Sequence, residues 1–257
     1  MKFRDVANLF LKPLGERLDK VKPPQTGLTG ADLMGDLAYL LAPVSRPVIL
    51  DVGAHKGETA RRLVKRFPQA NIHSFEPHPD SFKTMRENVA PWPNITPVNV
   101  ACGSASGRQK LFTNSASFTN SLLPNSDTIS QFAPAHLVEK RGEVDITVKA
   151  LDDYCAEQRL PLIHLLKMDA QGYERQIIDG ASQLLANGKI LIVHSEVLFV
   201  DLYQGQAYFH EIYDYFVNRG YGLVGIYDCG YNPEDWLVSA DAIFARLDLS
   251  TRIKNTK

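Results

Sequence analysis

The chain of 257 residues has only three cysteines, Cys102, Cys155 and Cys229, and no two of them form a C-x-x-C pair. An odd count at that spacing excludes a closed disulfide framework and gives a zinc knuckle nothing to build on. Reduced thiols and a cytoplasmic setting are therefore expected. No run approaches the roughly 18 apolar residues of a membrane span. The first twenty residues have no uninterrupted apolar segment, because charges break it, so no secretory signal is read there. A formal net charge of −1 supplies no global positive field to gather nucleic acid, and none is expected as a partner. No Gly-, Pro- or Ser-rich linker divides the chain, and no internal repeat is found. There is no G-K-[ST], which excludes a P-loop, and the loop after the first strand reads G-A-H-K-G, with no G-x-G, which argues against a dinucleotide fingerprint.

What is present is 44% apolar residues, enough for one large core. Residues 1–45 read as an N-terminal helical extension or cap, and residues 46–257 as one α/β domain. The extension carries an apolar stripe, Phe3, Val6, Ala7, Phe10, Leu14 and Leu18, among six basic residues in the first 22. A helix lying on a membrane surface is one reading. Packing on its own domain, or on a second subunit as a homodimer, fits the mixed charges better.

From residue 48 the period changes. "VILDV", "NIHSF" and "ITPVNVA" alternate with "KGETARRLVKRF" and "PDSFKTMRENVA". Strands separated by helices at short loop lengths predict a parallel sheet covered on both faces. The rhythm breaks over 103–150, where "GRQKLFTN" and "EVDITVKAL" flank the polar "SASFTNSLLPNSDTISQ". That stretch reads as an insertion over one end of the sheet. Alternation resumes with "IHLLKMD", one helix across "YERQIIDGASQLLANG", and "KILIVHSEV". "YGLVGIYD" and "ADAIFARL" are expected to pair as a late hairpin, giving about seven strands in one sheet.

Ligands of open parallel sheets bind beyond the carboxyl ends of the strands. Those ends carry Asp51, Gly53, His55 and Gly57; Glu76 and Pro77; Asn99 and Ala101; Asp169 and Gln171; His194 and Glu196. Each acid has a role if the ligand is a nucleoside bearing an amino acid. Asp51 would hold a cationic amine, and the two glycines would let backbone approach the ligand. The following helix would offer free amides to a carboxylate. Glu76, 25 residues after Asp51, would accept hydrogen bonds from a ribose diol.

Together, "ILDVGAHKGETA", "HSFEPHPDSFKTMRENV", "VNVACGSASG", "LLKMDAQGYERQIIDGASQLL" and "HSEV" resemble the FkbM-type methyltransferase family, over about residues 46–246. The resemblance implies a Rossmann-like, doubly wound, mostly parallel seven-stranded sheet, the class I methyltransferase fold, in a catalytic domain over 46–257. It implies S-adenosyl-L-methionine as cofactor and a hydroxyl on a sugar, glycan or secondary metabolite as acceptor. Asp51, Gly53 and His55 then fall at the methionine end, Glu76 at the ribose, Ala101 near the adenine, and Asp169 beside the transferable methyl; Gly57 and Pro77, at the same strand ends, are counted with them as cofactor-binding candidates. Candidate bases are Asp169, Glu196 and His194. Many members have Asn at the position of His55 and Glu at that of Gln171. Some related sugar methyltransferases use magnesium, but the second departure removes a carboxylate, so magnesium is unsupported and no metal ligand is assigned.

The plainer readings stand beside these. His194 suits an interior strand histidine as well as a base, and Glu174 suits a helix-start acid. Tyr203, Tyr208 and Trp236 suit either acceptor walls or core packing. "SFTNSLLP" is expected to close over the cofactor or bind the acceptor. A nucleic-acid or protein acceptor, or a binding module without chemistry, is the alternative function.

Overall fold

The computed structural model describes residues 27–250. The N-terminal stripe, Phe3 to Leu18, with its membrane-surface and subunit-packing readings, lies outside the described residues. In chain order the elements are α1 (Leu33–Leu41), β1 (Val48–Val52), α2 (Glu58–Arg66), β2 (Asn71–Phe75), α3 (Pro79–Val89), β3 (Ile95–Val98), β4 (Ala101–Cys102) and β5 (Gly107–Asn114). Two short helices, α4 (Ile129–Phe132) and α5 (Ala135–Val138), precede β6 (Lys140–Lys149) and α6 (Leu151–Glu157). There follow β7 (Ile163–Met168), α7 (Glu174–Asp179), α8 (Ser182–Ala186), β8 (Ile190–Leu198), α9 (Phe209–Val217), β9 (Tyr221–Tyr231) and β10 (Leu237–Arg246).

The main sheet has seven strands in the order β3-β2-β1-β7-β8-β10-β9. Only β10 runs against the rest, pairing antiparallel with both β8 and β9. Strand order reverses between β1 and β7, so the loops leaving these two strands diverge, and a crevice forms at their carboxyl ends.

Period-two alternation divides the core. Leu50, Leu166, Val193 and Phe244 face α6 to α9, while Ile49, Leu165, Ile192 and Ile243 face α1 to α3. Each side chain buried this way contributes about 1.5–3 kcal/mol. Leu33, Leu37 and Leu41 of α1 pack into the second face. The expected cap segment therefore shares a core with the α/β domain through α1.

Two expected elements are divided. "ITPVNVA" splits at Asn99: Ile95–Val98 form an edge strand of the main sheet, where Pro97 is tolerated. Ala101–Cys102 instead pair with β6 in a second sheet of order β4-β6-β5. The Asn99 side chain donates to the carbonyls of Glu76 and Pro77 at 2.8 and 3.1 Å, which turns the chain away. The single helix expected over 173–188 is broken between α7 and α8. A Cβ on Gly180 would sit 2.0 Å from the Gly103 carbonyl oxygen, so backbone packs on backbone at the break.

Among the described residues no helix is long and apolar enough to cross a membrane.

Candidate active site

A cleft with about 830 Å³ of free space, partly open to solvent, lies at the reversal of strand order. One wall is Gly53 and His55 after β1, with Glu76 and Pro77 after β2. Val100, Ala101 and Cys102 form its apolar end, and Asp169, Gln171 and Glu196 its acidic end. The insertion lies across the top, contributing Ser117, Phe118, Asn120 and Leu122.

The turn after β1 is shaped by its neighbours. Gly53 has φ +75°, and a Cβ there would lie 1.8 Å from the Asp169 carbonyl oxygen. The sequence suggested that this glycine makes room for ligand; it is needed first to let the β7 loop pass. Gly57, at φ +85°, would direct a Cβ into Val89 and Met85 and does not line the cleft. It begins α2, whose N-terminus has no side-chain cap.

Glu76 is buried and binds this turn. Its Oε2 accepts from the His55 amide at 2.9 Å and its Oε1 from the His78 amide at 2.8 Å. Burial pushes its pKa up to about 7, against the pull of those two amides. Each oxygen keeps lone-pair capacity for a donor from the cleft. His55 Nε2 lies 2.8 Å from Ser117 Oγ, joining the turn to the insertion, and burial lowers the pKa of its ring.

Asp51 differs from expectation. It is fully buried and does not line the cleft, so direct contact with a ligand amine does not fit this geometry. Ser74 Oγ donates to its Oδ2 at 3.3 Å, and Lys167 Nζ stands 3.4 Å from its Oδ1. Lys167 is aligned with Asp51 by the β1–β7 register. Its Nζ donates to the carbonyls of Val52 and Gly53 at 3.3 and 3.1 Å and lies 3.6 Å from Asp169 Oδ2. Burial opposes the lysine's charge, but Asp169 and Asp51 outweigh it and hold its pKa above the ordinary value. Strand alternation alone places Lys167 on the face of Asp169.

The acidic end brings Asp169 and Glu196 together. Gln171 Nε2 donates to Asp169 Oδ1 at 3.1 Å and to Glu196 Oε2 at 3.0 Å. Burial, then Asp169, Glu174 and Asp241, push the Glu196 carboxyl well above the usual carboxylate range. Glu174 starts α7 and accepts from the Ala170 amide at 2.7 Å; burial raises it to about 7. It lies outside the cleft lining, as the helix-start reading expects. His194, a candidate base, does not line the cleft either. Its Nε2 is 2.8 Å from Asp241 Oδ1, a partner delivered by β10. Tyr203 is buried, with its hydroxyl donating inside the protein, so it is no acceptor wall, whereas Trp236 is exposed on the β9–β10 turn.

Among the described residues no cluster of three or more His, Cys, Asp or Glu is poised to hold a metal.

The family model for the methyltransferase FkbM domain matches residues 51–223. The chain is 32% identical over 173 residues to 2-O-methyltransferase NoeI of Sinorhizobium fredii, a match spanning 65% of this chain and 70% of that protein. It is 26% identical over 147 residues to the hexuronic acid methyltransferase AglP of Haloferax volcanii, covering 57% and 54%. It is 25% identical over 198 residues to the 31-O-demethyl-FK506 methyltransferase FkbM of Streptomyces tacrolimicus, covering 68% and 76%. The sheet order, the cleft at its reversal and a family match across most of the domain agree: this chain is a methyltransferase and belongs to the FkbM methyltransferase domain family.

Proposed function

We propose that the chain methylates a hydroxyl of a sugar, glycan or comparable small metabolite, using S-adenosyl-L-methionine. The observation that carries this reading is the meeting of Asp169 and Glu196 in the same cleft as Gly53 and Glu76. Relatives named for 2-O-methylation and for a hexuronic acid support an oxygen acceptor on a small molecule.

The donor set of the cleft fits the cofactor. Glu76 offers free lone pairs to a diol. The apolar end at Val100 to Cys102 suits a flat base. When bound, the cofactor supplies an electrophilic methyl carbon on a sulfonium.

The residues of the chain then have two tasks. They hold the acceptor oxygen in line behind the methyl carbon, an alignment that by itself can remove several kcal/mol of barrier, on the order of 7–11 in the best cases. They would also take the hydroxyl proton as the methyl's bond to oxygen forms and its bond to the sulfonium sulfur breaks, that sulfur leaving as a neutral thioether. We assign that role to the Asp169–Glu196 pair, with Lys167 Nζ 3.6 Å from Asp169 Oδ2 supporting it. Asp51 acts through Lys167 on the position of the turn, since the lysine binds the carbonyls of Val52 and Gly53.

The test is twofold. Calorimetry with S-adenosylhomocysteine should show binding by the wild-type chain and by Asp169→Asn. Turnover against a panel of glycans and hydroxylated metabolites should appear with the wild type and fall by at least about 10²-fold in Asp169→Asn, the range for loss of a proton acceptor. Binding without turnover on any hydroxyl, or turnover unaffected by Asp169→Asn, contradicts the reading.

A further inference from the structure

Gln171 sits where four parts of the molecule meet. Its backbone is left-handed, at φ +55°. Its amide nitrogen holds Asp169 from the end of β7 and Glu196 from β8. Its Oε1 accepts from the Tyr203 hydroxyl at 2.8 Å, and its backbone carbonyl accepts from Ser121 Oγ of the insertion at 2.7 Å. Both amide hydrogens are used, one on each carboxylate.

We infer that Gln171 is a positioning residue that stands in the place of a divalent cation, holding Asp169 and Glu196 together so that the reaction of this cleft needs no metal. Two carboxyl groups that share one cleft are brought together by a cation, a shared proton or donor hydrogens between them. Here the bridge is an N–H pair. Magnesium demands oxygen ligands at about 2.0–2.1 Å in near-octahedral array. Nε2 offers no lone pair, and its hydrogens point at the carboxylate oxygens that a cation would need.

Reversing the amide would not repair this without cost. Oε1 would then face two carboxylates, and the Tyr203 hydroxyl would lose its 2.8 Å acceptor. Its remaining acceptor is the Thr119 carbonyl, at 3.2 Å. The charged groups that surround the pair are Glu174 on α7, Asp241 on β10 and Lys167 on β7. The lysine is already divided between Asp51 and Asp169. The donor set therefore fits an amide bridge and does not fit a magnesium site.

The kinetic half of this inference rests on the methyl-transfer reading; the binding half does not. The test uses the full chain, wild type and the variants Gln171→Glu and Gln171→Met, with manganese ion as the probe. Calorimetry or electron paramagnetic resonance should find no stoichiometric manganese on the wild type. Gln171→Glu, which adds a third carboxylate, should bind manganese at least roughly tenfold more tightly, a difference well above calorimetric error. Wild-type turnover should be unchanged in EDTA, and that of Gln171→Glu should rise with added manganese. Gln171→Met should lose about 10- to 150-fold in kcat, the cost of a hydrogen bond to a charged group, with the KM for cofactor unchanged.

Stoichiometric manganese on the wild type overturns the inference. So does EDTA inactivation reversed by manganese, or a Gln171→Met enzyme with full kcat. S-adenosylhomocysteine is titrated in parallel: if the wild type fails to bind it, the methyl-transfer reading falls, while the manganese titrations still judge the amide.

Discussion

Glu76 should make cofactor affinity depend on pH in a defined direction. In the folded protein burial raises its pKa to about 7. It is then about 10% ionised at pH 6 and about 90% ionised at pH 8. A ribose diol donates hydrogen bonds, so it prefers the carboxylate to the neutral acid. Binding should therefore weaken roughly tenfold between pH 8 and pH 6, because only the ionised fraction accepts both hydroxyls. Calorimetric titration of S-adenosylhomocysteine at the two pH values measures the ratio. At pH 7, buffers of different ionisation enthalpy should reveal release of about half a proton per site. Any ionisation of the ligand's own amino group is the same for all variants. Glu76→Gln serves as the reference: it loses the titration, so its ratio should reflect the ligand alone. It should also bind more weakly at pH 8, by about 10- to 150-fold, because its NH2 must face one of the amides of His55 and His78. A wild-type ratio equal to that of Glu76→Gln refutes the reasoning.

The remaining predictions concern the supports of the site. Gly53→Ala should destabilise by more than the roughly 1–2 kcal/mol of a left-handed non-glycine residue, since its Cβ would also displace the Asp169 carbonyl; thermal unfolding would read the loss and an S-adenosylhomocysteine titration the damage to the turn. His194→Gln should leave kcat within about threefold, because the ring bonds Asp241 and does not line the cleft, whereas loss of a general base costs on the order of 10²–10⁴-fold. Glu174 is raised to about 7 in the folded chain from an ordinary 4.5. Between those values the unfolded chain gives up the proton while the native one keeps it, so native stability falls as pH rises through this window, by up to about 3 kcal/mol. Urea unfolding of the wild type and Glu174→Gln at pH 4.5 and 8 should show their difference changing in that direction; parallel curves contradict it.

Most of the architecture was legible because it depends on local periodicity. The strand ends that carry Asp51, Glu76, Asp169 and Glu196 follow from alternation, and the insertion over the cleft from a change in composition. What could not be read depends on partners distant in sequence. Asp51 looked like a ligand contact because its strand end is near a glycine turn; its burial follows from Lys167, which arrives 116 residues later through the β1–β7 register. His194 looked like a base because its strand aims at the site; Asp241 then occupies its ring nitrogen, supplied by a strand that runs the opposite way. The split of "ITPVNVA" hangs on one asparagine side chain, and the break at Gly180 on a contact with Gly103.

These misplaced residues have a common cause. Five carboxylates, from Asp51, Asp169, Glu174, Glu196 and Asp241, crowd the carboxyl ends of β1, β7 and β8 and the adjoining amino half of antiparallel β10, where sequence alone shows only that acids recur. A crowd of that sign cannot all be ionised, solvated and aimed at one ligand. The protein divides it by three devices. Lys167 takes Asp51 out of the cleft and holds Asp169 at its edge. Burial raises the carboxyls of Glu174 and Glu196 toward the neutral form. The Gln171 amide joins the two acids that remain in the cleft. An acid at a strand end thus identifies the region of the chemistry, while its role is set by which of these neighbours reaches it, and that is decided by sheet register.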